Sequence, residues 1–187
     1  MRVIGGTAGG RKLVTPKGNR VRPTADRVKE ALFSILLSRY GSLNGLTVID
    51  LFAGTGNLGI EALSRGATHA TFVDSHPQSR EMIRKNLTLT GLADRAELVS
   101  HDVLTALQRL TEEQRNFDIV FIDPPYRELE LMQKVLEHLA GYRLTTECGL
   151  IVLESDGKSV PTLPDGLVLL EKRVYGDTAL HLLEKAE

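Results

Sequence analysis

The spacing of apolar positions changes character near residue 45. Before it, Val28, Ala31, Leu32, Ile35 and Leu36 recur at helical spacing and mark one apolar helix face. Arg22-Pro23-Thr24 opens that helix with Thr24 as the N-cap, and Tyr40-Gly41 closes it. From Leu46 onward, short apolar runs alternate with amphipathic stretches. The pattern predicts strands over 47–52, 70–74, 96–100, 118–123 and 149–154, with helices over 58–65, 77–90, 103–110 and 129–140 between them. Two more strands, over 168–174 and 178–183, flank Tyr175-Gly176-Asp177, which reads as a hairpin turn. At the other end, residues 1–23 have no helical period. Arg2-Val3-Ile4 and Lys12-Leu13-Val14 read as a second hairpin with Gly9-Gly10 at its turn.

Alternating strands and helices imply an α/β fold: a mostly parallel seven-stranded sheet with helices on both faces and a C-terminal antiparallel hairpin. Sheets of this kind bind ligands beyond the carboxyl ends of their strands, where the strand order reverses. The residues that follow each strand are therefore the ones to inspect.

Composition changes the picture in one respect. With 187 residues, 42% hydrophobic and 25% charged, the chain is large enough for a core without cross-links. The single cysteine, Cys148, excludes an internal disulfide and is expected to be a small packed thiol. The five histidines show no metal-ligand spacing, so no metal is expected. No apolar run suits a membrane span and the start lacks a signal-peptide core, which points to a cytoplasmic protein. The net charge of −1 hides an asymmetry: residues 1–30 carry +6 and the remainder −7. A basic segment on an acidic body is either a polyanion-binding arm or a solvated basic tail.

The strand ends carry the chemistry. After the first strand, Gly54, Gly56 and Gly59 match G-x-G-x-x-G at a strand-to-helix turn, where backbone approaches a ligand closely. A dinucleotide would suit such a loop. Asp50, four residues earlier, would repel a pyrophosphate and instead suits a ligand bearing an ammonium group. Asp74, ending the second strand, can accept ribose hydroxyls. Asp102 and Val103 follow the third strand; the Asp102 carboxylate can receive an adenine amino group or cap the next helix. The fourth strand ends in Asp123-Pro124-Pro125-Tyr126. Its prolines remove two donors and leave carbonyls free, so Asp123 and the Pro124 carbonyl stand as adjacent acceptors. An aromatic amine is a poor nucleophile because its lone pair is delocalised into the ring. Two acceptors for its two hydrogens can favour a pyramidal nitrogen, and Tyr126 can stack on the base. A nicotinamide dehydrogenase would leave this tetrapeptide unexplained. A plain RNA-binding module would leave the three strand-end aspartates without a job.

At these residues the chain resembles the Rossmann-like class I methyltransferases, and Asp123 to Tyr126 resembles their amino-methylating branch. Met1 to Gly6, the run Arg22-Pro23-Thr24-Ala25-Asp26-Arg27, and Asp50 to Gly56 followed by Gly59 to Ala67 are together similar to the RsmD family. Those are bacterial methyltransferases acting on the N2 amino group of one guanine in 16S ribosomal RNA. The resemblance implies S-adenosylmethionine as cofactor, held by Asp50, Phe52, Ala53, Gly54, Thr55, Gly56, Asp74, Asp102 and Val103. It implies catalysis at Asp123, Pro124, Pro125 and Tyr126. It also implies RNA or small-subunit binding through Arg11, Arg20, Arg22, Thr24 and Arg27, and a monomer divided into an arm plus helix (1–40) and a transfer domain (41–187). Adenine or cytosine amino groups in DNA are the alternative target. His76 receives no role.

Overall fold

The computed structural model describes residues 1–16, 23–124, 128–157 and 161–186, with the backbone alone at 23–25. Helix α1 spans Pro23–Tyr40 and precedes the sheet. There follow β1 (Thr47–Asp50), α2 (Asn57–Ser64), β2 (His69–Val73), α3 (Pro77–Thr90), a short 3-10 turn at Ala93–Arg95, and β3 (Ala96–Val99). The second half holds α4 (Val103–Glu112), β4 (Phe117–Ile122), α5 (Leu129–Gly141), β5 (Thr145–Asp156), β6 (Leu167–Tyr175) and β7 (Thr178–Lys185). The seven strands form one sheet in the order β3-β2-β1-β4-β5-β7-β6. Strands β1 to β5 are parallel, and β7 runs antiparallel to both β5 and β6.

The period of two along each strand builds two apolar layers. Val48 on β1, Ile119 and Phe121 on β4, and Leu150 and Val152 on β5 face the layer of α1, α2 and α3. Ile49, Val120, Ile122, Ile151 and Leu153 face the layer of α4 and α5. The strand order reverses at β1. The chain runs outward to β2 and β3, then returns to place β4 on the other side of β1. This reversal opens a crevice above the carboxyl ends of β1 and β4.

Two local expectations are corrected and a third is refined. Helix α1 starts at Pro23, one residue before the expected cap Thr24, because proline's fixed φ and missing N–H suit a first helical position. The N-terminal segment pairs where expected, but briefly: among the described residues it makes one antiparallel bridge, Arg2 to Lys12, with the Val3 N–H donating to the Arg11 carbonyl at 2.9 Å and the Leu13 N–H to the Met1 carbonyl at 3.1 Å, while residues 5–10 curl into bends and turns. It is nonetheless folded: Val3, Ala8 and Leu13 are buried in the α1–α3 layer. Cys148 is exposed, not packed. The β4–β5 register jumps from Phe117↔Thr145 to Ile119↔Leu150, so the residues around Cys148 loop out of the ladder. Gly149 permits that bend, since a Cβ there would lie 2.8 Å from the Thr145 Cβ.

Candidate active site

The crevice is a single cleft of about 790 Å³. Its walls gather Asp50, Phe52, Ala53, Gly54, Thr55, Asp74, Asp102, Val103, Asp123 and Pro124, which are distributed over 75 residues of sequence. Gly56 lies just behind this wall. It adopts φ 78°, open to glycine, and a Cβ there would press on Ile60, Phe72 and Ile83. Gly59 is needed for a different reason: a Cβ would sit 2.3 Å from Phe72 Cε1, so only glycine lets α2 approach β2.

Asp50 ends β1 with 2% of its surface exposed. Its Oδ2 accepts the Gly59 N–H at 3.2 Å. Burial pushes its carboxyl up from 3.8 to about 7; the Gly59 bond opposes this, and the charges of Asp123 and Asp74 add to it. Asp74 is held by two backbone donors, Gly54 N–H to Oδ2 at 2.9 Å and His76 N–H to Oδ1 at 2.8 Å. Each oxygen keeps a lone pair for a ligand. Asp102 does cap α4, accepting the Thr105 N–H through Oδ1 at 3.0 Å, and this holds its carboxyl below the usual range. It also faces the cleft, so the two readings of this residue are compatible.

Asp123 follows β4. Its surface is open to the cleft, yet the carboxyl lies deep in the molecule, and the resulting desolvation pushes it up to about 6. Pro124 is buried beside it. Pro125 and Tyr126 lie outside the described residues, as do Arg20 and Arg22 and the side chain of Thr24. Arg11 and Arg27 are exposed. The Arg11 guanidinium donates to the Leu89 carbonyl on α3 at 2.6 Å, which ties the arm to that helix.

Sequence reasoning counted Lys29 among the basic charges of the arm. The structure buries it: Nζ donates to the Arg2 carbonyl at 2.6 Å and Asn57 Oδ1 at 2.7 Å, and pairs with Glu61 at 3.1 Å. Desolvation lowers its pKa, against the pull of Glu61. Glu61, fully buried on α2, accepts the N–H groups of Ile4 and Gly5 at 2.7 and 2.9 Å. Fully buried Asn86 accepts the Val14 N–H and donates to the carbonyls of Val14 and Thr55. The arm is thus bolted to the first turn of α2 and to the glycine loop. A lone Lys and Glu 32 residues apart gave no sequence signal for this. Glu154, near the carboxyl end of β5, also faces the cleft and was missed, because a single acid near a strand end has no motif around it.

The family described as Conserved hypothetical protein 95 matches residues 1–184. The chain belongs to this family, the RsmD family. It is 37% identical to YlbH of Bacillus subtilis over 99% of both chains. It is 34% identical to ribosomal RNA small subunit methyltransferase D of Escherichia coli, over 99% of this chain and 90% of that one. The solved structure of yhhF from Escherichia coli superposes with a TM-score of 0.82 at 31% identity, covering 99% and 97% of the two chains. A more distant structure, SMU.776 complexed with SAH, shares the fold with a TM-score of 0.64 at 20% identity over 87% of this chain and 50% of that one. The RsmD-family chain thus has the Rossmann-like architecture of class I methyltransferases. Among its described residues no helix is long and apolar enough to cross a membrane.

Proposed function

We propose that the protein transfers a methyl group from S-adenosylmethionine to the exocyclic N2 amino group of a guanine in 16S ribosomal RNA. One observation carries this reading: Asp123 and Pro124 open into the same cleft as Asp50, Asp74 and Asp102. A cofactor end and an amine-holding end therefore share one cavity.

The residues fit the cofactor. Asp50 is a desolvated acid with a single backbone donor, so a ligand cation is the partner that would favour its charged form. That suits the ammonium of the methionine moiety. Asp74 keeps lone pairs for the ribose hydroxyls, and Asp102 keeps Oδ2 for the adenine amino group. When bound, the cofactor supplies an electrophilic methyl group on a sulfonium.

The chain's own part is positioning. Asp123 and the Pro124 carbonyl accept the two hydrogens of the amine and aim its lone pair. The Asp123 carboxylate also offsets the positive charge that develops on that nitrogen. Tyr126 stacks on the base, which reaches the cleft from an unpaired region or by flipping. Arg11, Arg20, Arg22, Thr24 and Arg27 hold the RNA backbone, making residues 1–40 the RNA-holding part and 41–187 the transfer part.

The test is methyl transfer from labelled S-adenosylmethionine to unmodified small ribosomal subunits, free ribosomal RNA and DNA, with the product nucleoside identified by mass spectrometry. N2-methylguanosine in a ribosomal sample is the expected product. Methylated adenine or cytosine in DNA would overturn the substrate and leave the chemistry standing.

A further inference from the structure

The cleft extends beyond the residues that hold a cofactor. Past Asp123 and Pro124 it is walled by Glu154 and by Gly176-Asp177-Thr178 at the β6–β7 turn. Strand β5 neighbours β4 on the side away from β1, so this is the end left for the target base. Ile122 on β4 is in register with Leu153 on β5. Asp123 and Glu154 are the next residue on each, so two carboxyl groups stand side by side at roughly the spacing of adjacent strands, about 5 Å. Among the described residues neither accepts a hydrogen bond from the protein. Asp123 has a use in the reaction proposed above, and Glu154 has none.

Guanine presents three groups in a row along one edge: the N2 amine, the N1–H donor and the O6 acceptor. If Asp123 and the Pro124 carbonyl hold N2, the next group along the sheet faces N1 and O6. A neutral carboxylic acid matches that pair, its carbonyl accepting from N1–H and its hydroxyl donating to O6. We propose that Glu154, acting as a neutral acid, pairs with N1–H and O6 of the target guanine and is the residue that selects this base. The inference rests on the guanine reading above. Adenine and cytosine have a bare ring nitrogen beside their amine, so neither can return both bonds.

The electrostatics agree with the geometry. Burial, then the charge of Asp123, pushes Glu154 up to about 8, while Asp123 stands at about 6. The pair therefore releases its protons in two steps. Between these steps one carboxylate accepts and one acid both accepts and donates, and two like groups take different roles. Among the described residues, the other titratable side chains lining the cleft are Asp50 on β1, Asp74 and His76 after β2, His101 and Asp102 after β3, Glu128 before α5, Asp177 at the β6–β7 turn, and Lys29 on α1, whose ammonium is already engaged by Glu61. On β7, His181 bonds Ser155 and stands opposite Leu153, on the other side of the sheet from Glu154.

Glutamine is the isostere of a neutral glutamic acid, with the same acceptor and a donor that does not titrate. The experiment compares wild type, Glu154→Gln and Glu154→Ala on small subunits reconstituted with guanine or 2-aminopurine at the methylated position. The analogue keeps the 2-amino group but lacks N1–H and O6. Binding of S-adenosylhomocysteine, alike in all three proteins, reports an intact fold. Wild type should favour guanine over 2-aminopurine by about 10- to 100-fold in kcat/KM, in line with one or two buried hydrogen bonds. Glu154→Ala should lose that preference mainly through KM. Glu154→Gln should retain it at pH 7 and lack the alkaline fall in kcat/KM that wild type shows as pH passes about 8. Equal use of both bases by wild type, or a Gln variant as impaired as the Ala variant, overturns the role of Glu154 while guanine methylation stands. Label on adenine or cytosine in the unsubstituted particle overturns both.

Discussion

Asp50 gives a prediction whose size follows from its burial. The folded carboxyl keeps its proton up to about pH 7, whereas in an unfolded chain it releases it near 3.8. Between these values the folded state binds more protons, so stability falls as pH rises, and the loss is complete above about 7. Each pH unit is worth about 1.4 kcal/mol, so the full penalty is about 4 kcal/mol. Asp50→Asn keeps an oxygen for the Gly59 N–H and never ionises. Urea unfolding without cofactor should find the variant more stable than wild type by about 2 kcal/mol at pH 5.5 and about 4 kcal/mol at pH 8.5. Groups remote from Asp50 titrate alike in both proteins and cancel in this difference; the charges of Asp123 and Asp74, which act on Asp50, contribute less to it than burial does. The same variant should bind S-adenosylmethionine about 10- to 100-fold more weakly in a calorimetric titration, having lost a charge-assisted bond to the ammonium. A stability gap that stays constant across pH would refute the desolvation argument. Undiminished cofactor affinity would refute the assignment of Asp50 to the ammonium.

Further outcomes follow from the arm and the reacting end. Glu61→Ala strands the Lys29 ammonium and the N–H groups of Ile4 and Gly5 in the interior, and should cost about 3–5 kcal/mol in urea unfolding; a loss under 1 kcal/mol would show that the network relaxes freely. Asp123→Ala should abolish methyl transfer while S-adenosylhomocysteine still binds in a titration, and near-normal turnover would remove Asp123 from the reaction. Replacing Arg20, Arg22 and Arg27 together by Ala should weaken RNA binding and flatten its dependence on salt concentration by about three phosphate contacts. An unchanged slope in a filter-binding series would place the RNA elsewhere.

The sequence by itself determined the α/β alternation, the hairpin at Tyr175-Gly176-Asp177 and the aspartates at successive strand ends. Those are local facts: a period of two or of 3.6 is written into nearest neighbours, and a glycine loop must be continuous in sequence. Strand ends were displaced by up to two residues, and the start of β5 by four, because ladders stop where partners stop and not where apolar residues do. Only the tertiary structure decided the rest. It put Lys29 against Glu61 and turned a supposed surface charge into an internal bolt between the arm and α2. It pushed Cys148 out of the ladder, since a strand's neighbours set its register. It brought Glu154 alongside Asp123 by placing β5 next to β4. Each of these depends on the order of strands in the sheet and on burial shared between distant segments. The pattern of one stretch of chain carries neither, because desolvation and pairing are properties of what surrounds a side chain once the sheet has closed.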